Sequence, residues 1–224
     1  MVPGERAWQY ARYLGFPEHA VRRGLYGIDY DSWGPLLDRR LNEGSGSWPK
    51  KFLYAGRYAE MKAIDKLVDG YRIYHKSVSD PWPLTTCGDG EFAHLLKGVE
   101  GITDLGFLHP PEQPAVWATH GAFVIASRFD PWPLVIVEAC AAGLPIVCTE
   151  ACGSAVEMVR SHYNGIAVPT DDEQALADGM RWIHEHYEDC PEMGRRSREF
   201  AHAYAAQVWA QRVKRMCDQL LKNP

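Results

Sequence analysis

The chain has 224 residues, which is enough for one large domain or for one domain and part of another. Hydrophobic residues make up 46% of it and charged residues 24%, a composition that supports a buried core and is ordinary for a globular protein. The formal net charge is −5 and no block of basic residues occurs, which argues against nucleic acid as a partner.

The first 49 residues differ in pattern from the rest. Residues 3–15 predict a short helix that ends at Gly15, and residues 21–27 predict a strand. Residues 29–49 are rich in Gly, Ser, Asp and Pro, and the run 42–49 has the composition of a linker. A domain boundary is therefore placed in that run.

From residue 50 onward, short apolar segments alternate with helical patterns. The apolar segments predict strands at 52–56, 84–87, 102–105, 122–126, 146–148 and 166–168. The segments between and after them predict helices at 63–77, 91–97, 114–119, 134–142, 154–159 and 172–186, with two more near 192–205 and 207–221. This alternation is typical of a Rossmann-like α/β fold, in which helices cover both faces of a parallel sheet. Such sheets bind ligands beyond the carboxyl ends of their strands.

A basic loop follows the first predicted strand. Gly56 permits a tight turn and the close approach of a ligand, Arg57 is able to fork onto two phosphate oxygens, and Lys62 adds a point charge. A helix starts near residue 63, and its N-terminal amides favour an anion. The loop therefore suits a diphosphate, although a surface loop with two solvated cations has the same pattern.

A glycine-rich loop, 87–91, follows the second strand and suits phosphate or ribose, although Gly-Asp-Gly is also an ordinary turn. Further on, Glu138 lies inside an apolar helix, where a carboxylate is costly unless a partner satisfies it. Asp130 precedes it by eight positions, at the mouth of the same loop. The two acids are placed to hold two hydroxyl-bearing parts of one ligand. The alternative is that Glu138 pairs with a nearby cation or amide.

Polar residues at the start of two predicted helices are explained by N-terminal capping of those helices. Ser154 and Glu157 have the spacing of a capping box, and Asp171 or Asp172 is expected to cap the helix that follows it. The nine histidines are scattered, so no metal site and no cofactor are predicted. No C-x-x-C pair, no signal peptide and no apolar run of roughly 18 residues occurs, and the compartment is interpreted as cytoplasmic with reduced thiols.

The order of these motifs resembles that of the retaining, GT-B-fold glycosyltransferases often called family 4. The similarity covers roughly residues 51–186 and corresponds to the C-terminal, donor-binding half of that fold. The matching motifs, in chain order, are Gly56-Arg57 with Lys62, Gly88-Asp89-Gly90, Gly106-Phe107, Ser127 with Asp130 and Glu138-Ala139, Gly143-Leu144-Pro145-Ile146-Val147, and Gly153 with Glu157.

The resemblance implies a donor site for a nucleoside-diphosphate sugar. Its members would be Gly56, Arg57, Lys62, Gly88, Phe107, Leu108, Asp130, Leu134, Val135 and Glu138. Arg57 and Lys62 would bind the diphosphate, Glu138 the ribose and Asp130 the transferred sugar, so that Arg57, Lys62 and Asp130 are the implied catalytic residues. Leu134 and Val135 would offer backbone amides, and the Phe107-Leu108 loop would lie by the base. Loss of Glu138 should then weaken nucleoside diphosphate binding more than loss of Asp130.

Three positions depart from the family pattern. Asp130 stands where the family has Glu, which shortens the reach of the carboxylate, and Pro133 replaces a Gly and has no amide hydrogen to donate. Cys152 replaces another Gly. The first two changes affect the sugar contact, so the donor sugar is left open.

The resemblance also implies three units. Residues 1–49 would be the remnant of an N-terminal domain with its linker, 50–190 the nucleotide-sugar-binding domain, and 191–224 helices that pack back toward the N-terminal domain. The rest of that domain, which carries the acceptor site in the family, is expected to be absent. The chain is thus interpreted as a retaining, hexosyltransferase-type glycosyltransferase or a fragment of one that acts on an unknown acceptor. The alternative is a non-catalytic nucleotide-sugar-binding module that works with a partner chain. Peripheral membrane contact and self-association through the open cleft are further expectations.

Overall fold

A computed structural model describes residues 1–42 and 47–222. Within these residues, six parallel strands form one sheet in the order β3-β2-β1-β4-β5-β6. The strands are β1 Phe52–Ala55, β2 Leu84–Cys87, β3 Ile102–Asp104, β4 Ala122–Ile125, β5 Ile146–Thr149 and β6 Gly165–Val168. Strands β1, β4 and β5 are buried along their whole length, as expected for a sheet covered on both faces. The predicted Rossmann-like α/β fold is confirmed.

Ten α-helices lie in the described part of the chain. They are α1 Glu5–Tyr13, α2 Tyr30–Trp33, α3 Pro35–Asn42, α4 Ile64–Ser77, α5 Gln113–Trp117, α6 Leu134–Ala141, α7 Ala155–Met158, α8 Glu173–Glu185, α9 Cys190–Ala201 and α10 Ala206–Lys222. Right-handed crossovers run outward from the centre of the sheet in both directions, so α4 and α6 lie on opposite faces. Helix α4 packs against α8, and α6 packs against α9. No helix among the described residues is both long and apolar enough to span a membrane.

Three of the predicted secondary-structure segments differ from the structure. Residues 21–27 form no strand, because Gly24 adopts φ +90° and only the single bridge between Val2 and Arg23 pairs this segment. The turn-rich composition of 29–49 concealed helices α2 and α3. The segment predicted as a helix at 91–97 is a 3-10 helix, Glu91–Leu96.

The segment before the sheet packs onto the sheet's own core. Trp33, Leu36 and Leu37 are buried there, and the ring of Trp33 lies 4.7 Å from that of Trp117. The central part of the predicted linker, 43–46, lies outside the described residues, as do the last two residues of the chain, 223–224. The division into three units therefore stays a prediction.

One buried cation ties the ends of two helices together. Arg40 donates hydrogen bonds to the carbonyl oxygens of Ala142 (3.0 Å) and Gly143 (3.3 Å) after α6, and to that of Trp117 (3.2 Å) at the end of α5. Burial lowers the pKa of Arg40 to about 10. Gly143 adopts φ +70°, a conformation that favours glycine and ends α6. Arg40 thus satisfies the carbonyl groups of Ala142 and Gly143, and it is a second donor to the Trp117 carbonyl, which also accepts from the backbone N–H of His120 (3.2 Å).

We expect Arg40→Met to lower the free energy of unfolding by about 2 kcal/mol, because it removes charge-assisted hydrogen bonds and leaves buried carbonyls unsatisfied. Arg39→Met removes the same charge from an exposed neighbouring position and is the matched control. Urea denaturation of both variants and the parent measures the difference. Equal stability of the two variants would show that the helix-end contacts contribute nothing.

Candidate functional site

A cavity of about 680 Å³ lies at the carboxyl ends of the strands. The loops that follow β1, β2, β3 and β4 surround it. All ten residues that the sequence predicted for the donor site line this one cavity: Gly56, Arg57, Lys62, Gly88, Phe107, Leu108, Asp130, Leu134, Val135 and Glu138. The structure therefore brings together side chains that are separated by up to 82 positions (138 − 56) along the chain.

The topology of the sheet explains where the cavity opens. The connections leave β1 and β4 in opposite directions although the two strands are neighbours, and this separation of loops creates a crevice. The loops after β1 and β2 come close together at the crevice, since a Cβ atom at Gly88 would lie 1.9 Å from the carbonyl oxygen of Gly56. Glycine at position 88 is thus required for this approach.

Lys62 and Asp130 form an ion pair at the cavity wall. The Nζ atom of Lys62 contacts Oδ2 of Asp130, and the side chains are only 17% and 9% exposed. The other carboxylate oxygen, Oδ1, accepts a hydrogen bond from the backbone N–H of Trp132 (3.3 Å). The sequence predicted that the two residues contact different parts of a ligand, and their contact with each other was not foreseen.

Arg57 is the second cation of the cavity. Its side chain is exposed and makes no hydrogen bond or ion pair within residues 1–42 and 47–222. Its backbone is fixed, because Tyr54 donates from Oη to the Arg57 carbonyl oxygen (3.0 Å). Arg57 is thus available to an incoming anion, whereas Lys62 is already paired.

Glu138 lies on α6 and lines the cavity. Burial raises the pKa of Glu138 to about 7. In the part of the chain that the structure describes, its carboxyl group has no hydrogen-bond or salt-bridge partner, so the alternative of a nearby cation or amide is not found. A carboxyl group without a protein partner has oxygens available to accept hydrogen bonds from a ligand's hydroxyl groups.

Helix α6 presents its N-terminal turn to the same cavity. Leu134 and Val135 are half-buried and line the cavity, and first-turn amides of a helix lack intrahelical acceptors. Ser154 donates a hydrogen bond from Oγ to the carbonyl oxygen of Pro133 (3.0 Å), which fixes the residue before the helix.

Ser154 and Glu157 do not form the predicted capping box. Ser154 is helical in conformation, and its hydroxyl bonds to Pro133 instead of capping α7. Glu157 accepts a hydrogen bond from the backbone N–H of Glu5 (2.6 Å), so it serves the N-terminus of α1. The prediction for α8 is confirmed, because Asp172 accepts from the backbone N–H of Ala175 (2.8 Å).

Arg128 joins the two loops that carry Lys62 and Asp130. Its guanidinium group binds both carboxylate oxygens of Asp65 (3.0 and 2.5 Å) and donates to Asp171 (2.5 Å). It also donates to the carbonyl oxygen of Glu60 (3.0 Å), and its backbone N–H donates to that of Met61 (2.9 Å). The Arg128 guanidinium lowers the pKa of Asp65. Sequence reasoning missed this network because its partners are 63 and 43 positions away from Arg128.

Tyr58 makes a second link between loops. It donates a hydrogen bond to Oδ1 of Asp104 (2.6 Å), and the same oxygen accepts from Thr86 (3.2 Å) and from the backbone N–H of Gly106 (3.0 Å). Burial and the bond to Asp104 raise the pKa of Tyr58. An aromatic residue between Arg57 and Lys62 in a basic loop was the available sequence signal for this role.

Other cavity residues were also missed. They include Gln113 and Trp132, whereas Asp89 and Gly90, which also line the cavity, belong to the loop 87–91 that the sequence predicted. An aromatic residue in a proline-rich loop is the signal that Trp132 offered. Residues 1–42 and 47–222 contain no group of three or more His, Cys, Asp or Glu side chains placed to hold a metal ion.

Comparison with protein families identifies one match. The model described as Glycosyl transferases group 1 matches residues 40–200, well over half of the chain. An exopolysaccharide phosphotransferase of Streptomyces coelicolor is 27% identical over 169 residues, which cover 71% of this chain and 18% of that protein. An uncharacterized glycosyltransferase of Methanocaldococcus jannaschii is 25% identical over 178 residues, or 73% of this chain and 45% of that protein. The chain thus spans less than half the length of these two relatives.

Solved structures show the same fold. Sucrose-phosphate synthase from Thermosynechococcus elongatus gives a TM-score of 0.80 at 21% identity, over 100% of this chain and 58% of that one. The pneumococcal O-GlcNAc transferase, solved in complex with UDP and GlcNAc, gives a TM-score of 0.78 at 18% identity, over 98% of this chain and 44% of that one. The six-stranded sheet is therefore the Rossmann-like C-terminal half of a GT-B fold.

We expect Glu138→Gln to stabilise the ligand-free protein at pH 8 and to change its stability little near pH 5. The folded-state pKa of about 7 lies above the ordinary 4.5, so the stability that the protonated carboxyl contributes is complete below pH 4.5 and is lost as pH rises through 7. The gain at pH 8 is at most roughly 3 kcal/mol, the equivalent of that pKa difference.

Urea denaturation at pH 5 and pH 8 tests this expectation. The exposed Glu100 provides the matched control Glu100→Gln. The difference between Glu138→Gln and the parent should grow with pH, and that between Glu100→Gln and the parent should not. A pH-independent difference for Glu138→Gln would mean that its carboxyl group is not desolvated.

Proposed function

The chain belongs to the glycosyl transferases group 1 family, and from that premise we propose that its cavity binds a nucleoside-diphosphate sugar and takes part in retaining transfer of a hexose from it. One observation carries the proposal: the diphosphate, ribose and sugar residues implied by the family resemblance line one cavity at the switch point of the sheet. A pocket at this position is the usual ligand site of a doubly wound α/β sheet.

Each part of the donor has a chemical counterpart in the cavity. The diphosphate lies by Arg57, Lys62 and the first turn of α6, and the ribose hydroxyls donate to Glu138. The transferred sugar faces Asp130. The base lies against the loop of Phe107 and Leu108, where Phe107 is 62% exposed and free to cover a ring.

These residues act in the proposed reaction by electrostatic stabilisation. When the bond between the sugar and the diphosphate oxygen breaks, negative charge grows on the diphosphate, and preorganised cations and helix amides stabilise that charge. Arg57 and Lys62 supply two positive charges at this place, so we propose that donor binding needs no divalent metal ion. The sugar, the acceptor and the stereochemical outcome belong to the proposal.

The alternative is a non-catalytic donor-binding module that works with a partner chain. The chain aligns with 58% and 44% of the two compared enzyme structures, so the acceptor and the transfer reaction are proposals, and donor binding alone is the second candidate function. Incubation with nucleotide sugars and candidate acceptors, followed by mass spectrometry of the products, separates the two functions. Binding without transfer favours the module. Formation of a glycosylated acceptor, beyond the hydrolysis of the nucleotide sugar by water, favours the enzyme.

We expect the 224-residue chain to bind at least one of UDP, GDP and ADP in the presence of a chelator. Arg57→Met should weaken this binding roughly tenfold, because charge-assisted contacts to phosphate are lost. Lys62→Met should weaken it by a smaller factor, because Lys62 has to leave Asp130 before it contacts the phosphate. Lys66→Met is the matched control, since Lys66 carries the same charge but pairs with Glu173 on the neighbouring helix (2.7 Å). Calorimetric binding that occurs only with added magnesium or manganese would refute metal independence.

We also expect nucleoside diphosphate affinity to depend on Glu138 in a pH-dependent way. The ionised carboxylate accepts hydroxyl hydrogen bonds more strongly than the protonated form, and its pKa is about 7. The parent should therefore bind roughly tenfold tighter than Glu138→Gln at pH 8 and nearly equally at pH 6. Titration of the phosphate itself affects both proteins alike, so their affinity ratio isolates Glu138. A ratio that is constant from pH 6 to pH 8 would remove Glu138 from the ribose site.

A further inference from the structure

We propose that Asp130 makes the site select an intact nucleotide sugar over the free nucleoside diphosphate, because it competes with the diphosphate for Lys62. The inference rests on the proposed function. In the inference Asp130 has two roles: it pairs with Lys62 in the ligand-free protein, and it contacts the sugar in the complex. The observation behind it is the Lys62–Asp130 ion pair, which both the sequence motif and the family resemblance leave unassigned.

The pair is held in place from both sides. Lys62 ends a 3-10 turn, Glu60–Lys62, and the backbone of that turn is bonded to the Asp130 loop through Arg128. Asp130 is fixed in turn by the backbone N–H of Trp132. The two backbones are thus fastened together, and Lys62 is able to leave Asp130 only by rotation of its own side chain.

Charge decides what happens when a diphosphate enters. Lys62 turns to the phosphate oxygens, and Asp130 is left as a nearly buried carboxylate beside a polyanion. Losing one partner of a buried ion pair is unfavourable, because the remaining charge is desolvated and uncompensated. Arg57 carries no such cost, since it has no partner to leave among the described residues. The contact with Lys62 therefore contributes less binding free energy to the free nucleoside diphosphate than the same contact with an unpaired lysine would.

A sugar on the diphosphate removes this penalty. Its hydroxyl groups are hydrogen-bond donors, and they satisfy the carboxylate that Lys62 has left. The site then favours the donor before transfer and disfavours the nucleoside diphosphate after it, which helps the product to leave. Asp130 is in this sense a specificity-determining residue for donor against product.

A binding cycle with four proteins tests the inference. The parent, Asp130→Asn, Lys62→Met and the double variant are titrated by calorimetry with UDP, GDP and ADP, after thermal melting shows that each is folded. Asparagine keeps an oxygen for the N–H of Trp132. We expect Asp130→Asn to bind the nucleoside diphosphate about tenfold tighter than the parent. In the Lys62→Met background the same substitution should give a much smaller gain, because only the repulsion between the carboxylate and the diphosphate is then relieved.

Asp89→Asn controls for the loss of one negative charge from the cavity. Asp89 lines the same cavity but forms no ion pair with Lys62 in the described structure, so its substitution should raise affinity by much less than Asp130→Asn. The parent should also bind the matching nucleotide hexose more tightly than the free diphosphate, and Asp130→Asn should reduce that preference about tenfold.

The outcomes separate the inference from the proposed function. A parent that binds the diphosphate while Asp130→Asn binds it equally or more weakly overturns the inference and leaves the proposed function standing. The inference is also overturned if affinity for the diphosphate rises equally when Asp130→Asn is made in the Lys62→Met background, or when Asp89→Asn is made in the parent. The gain would then come from the loss of any negative charge in the cavity and not from the release of Lys62. A parent that binds none of the three nucleotides overturns the proposed function, and the inference falls with it.

Discussion

The site depends on the junction between two loops that leave neighbouring strands in opposite directions. Parallel strands β1 and β4 are adjacent, and nothing in the sheet's hydrogen bonds fixes how far apart their loops lie. Arg128, in the loop after β4, fixes this distance through Asp65 and through carbonyl groups of the turn at 60–62, and its bond to Asp171 adds the connection after β6. Because Arg128 is planar and always charged, it holds several acceptors at once in a rigid geometry. Lys62 and Asp130 owe their mutual position to this junction.

Two carboxyl groups of the cavity are partly removed from water, and this desolvation lowers the stability of the folded protein. Burial disfavours ionisation of Glu138, whereas the nearly buried Asp130 is paired with a cation. The positive charge of Lys62 compensates the Asp130 carboxylate, and Lys62 is therefore occupied by this partner. Glu138 has no compensation in the described structure, and its pKa rises instead. Each arrangement is less stable than an apolar or fully satisfied alternative, and binding sites commonly sacrifice stability in this way.

The sequence predicts local patterns well and long-range polar contacts poorly. The six strands follow from apolar segments, which are local features. The set of ten cavity residues follows from the order of motifs that resembles the family. The Lys62–Asp130 pair joins positions 68 apart, and Tyr58 reaches Asp104 across 46, so no spacing rule reveals them. Helices α2 and α3 were missed for another reason: their burial against the core stabilises them despite a composition that favours turns.

Contacts also cross the limits of the family match at 40–200. The cavity residue Trp132 is backed by Gly4, where a Cβ atom would lie 2.1 Å from its ring, and its ring centroid is 5.8 Å from that of Tyr204. Ile28 in turn bonds through its N–H to the Tyr204 carbonyl (2.8 Å). The shape of the wall beside Asp130 therefore depends on segments at both ends of the chain. Any truncation to the matched region would remove the support of Trp132, and with it the support of the loop that places the carboxylate of Asp130 against Lys62.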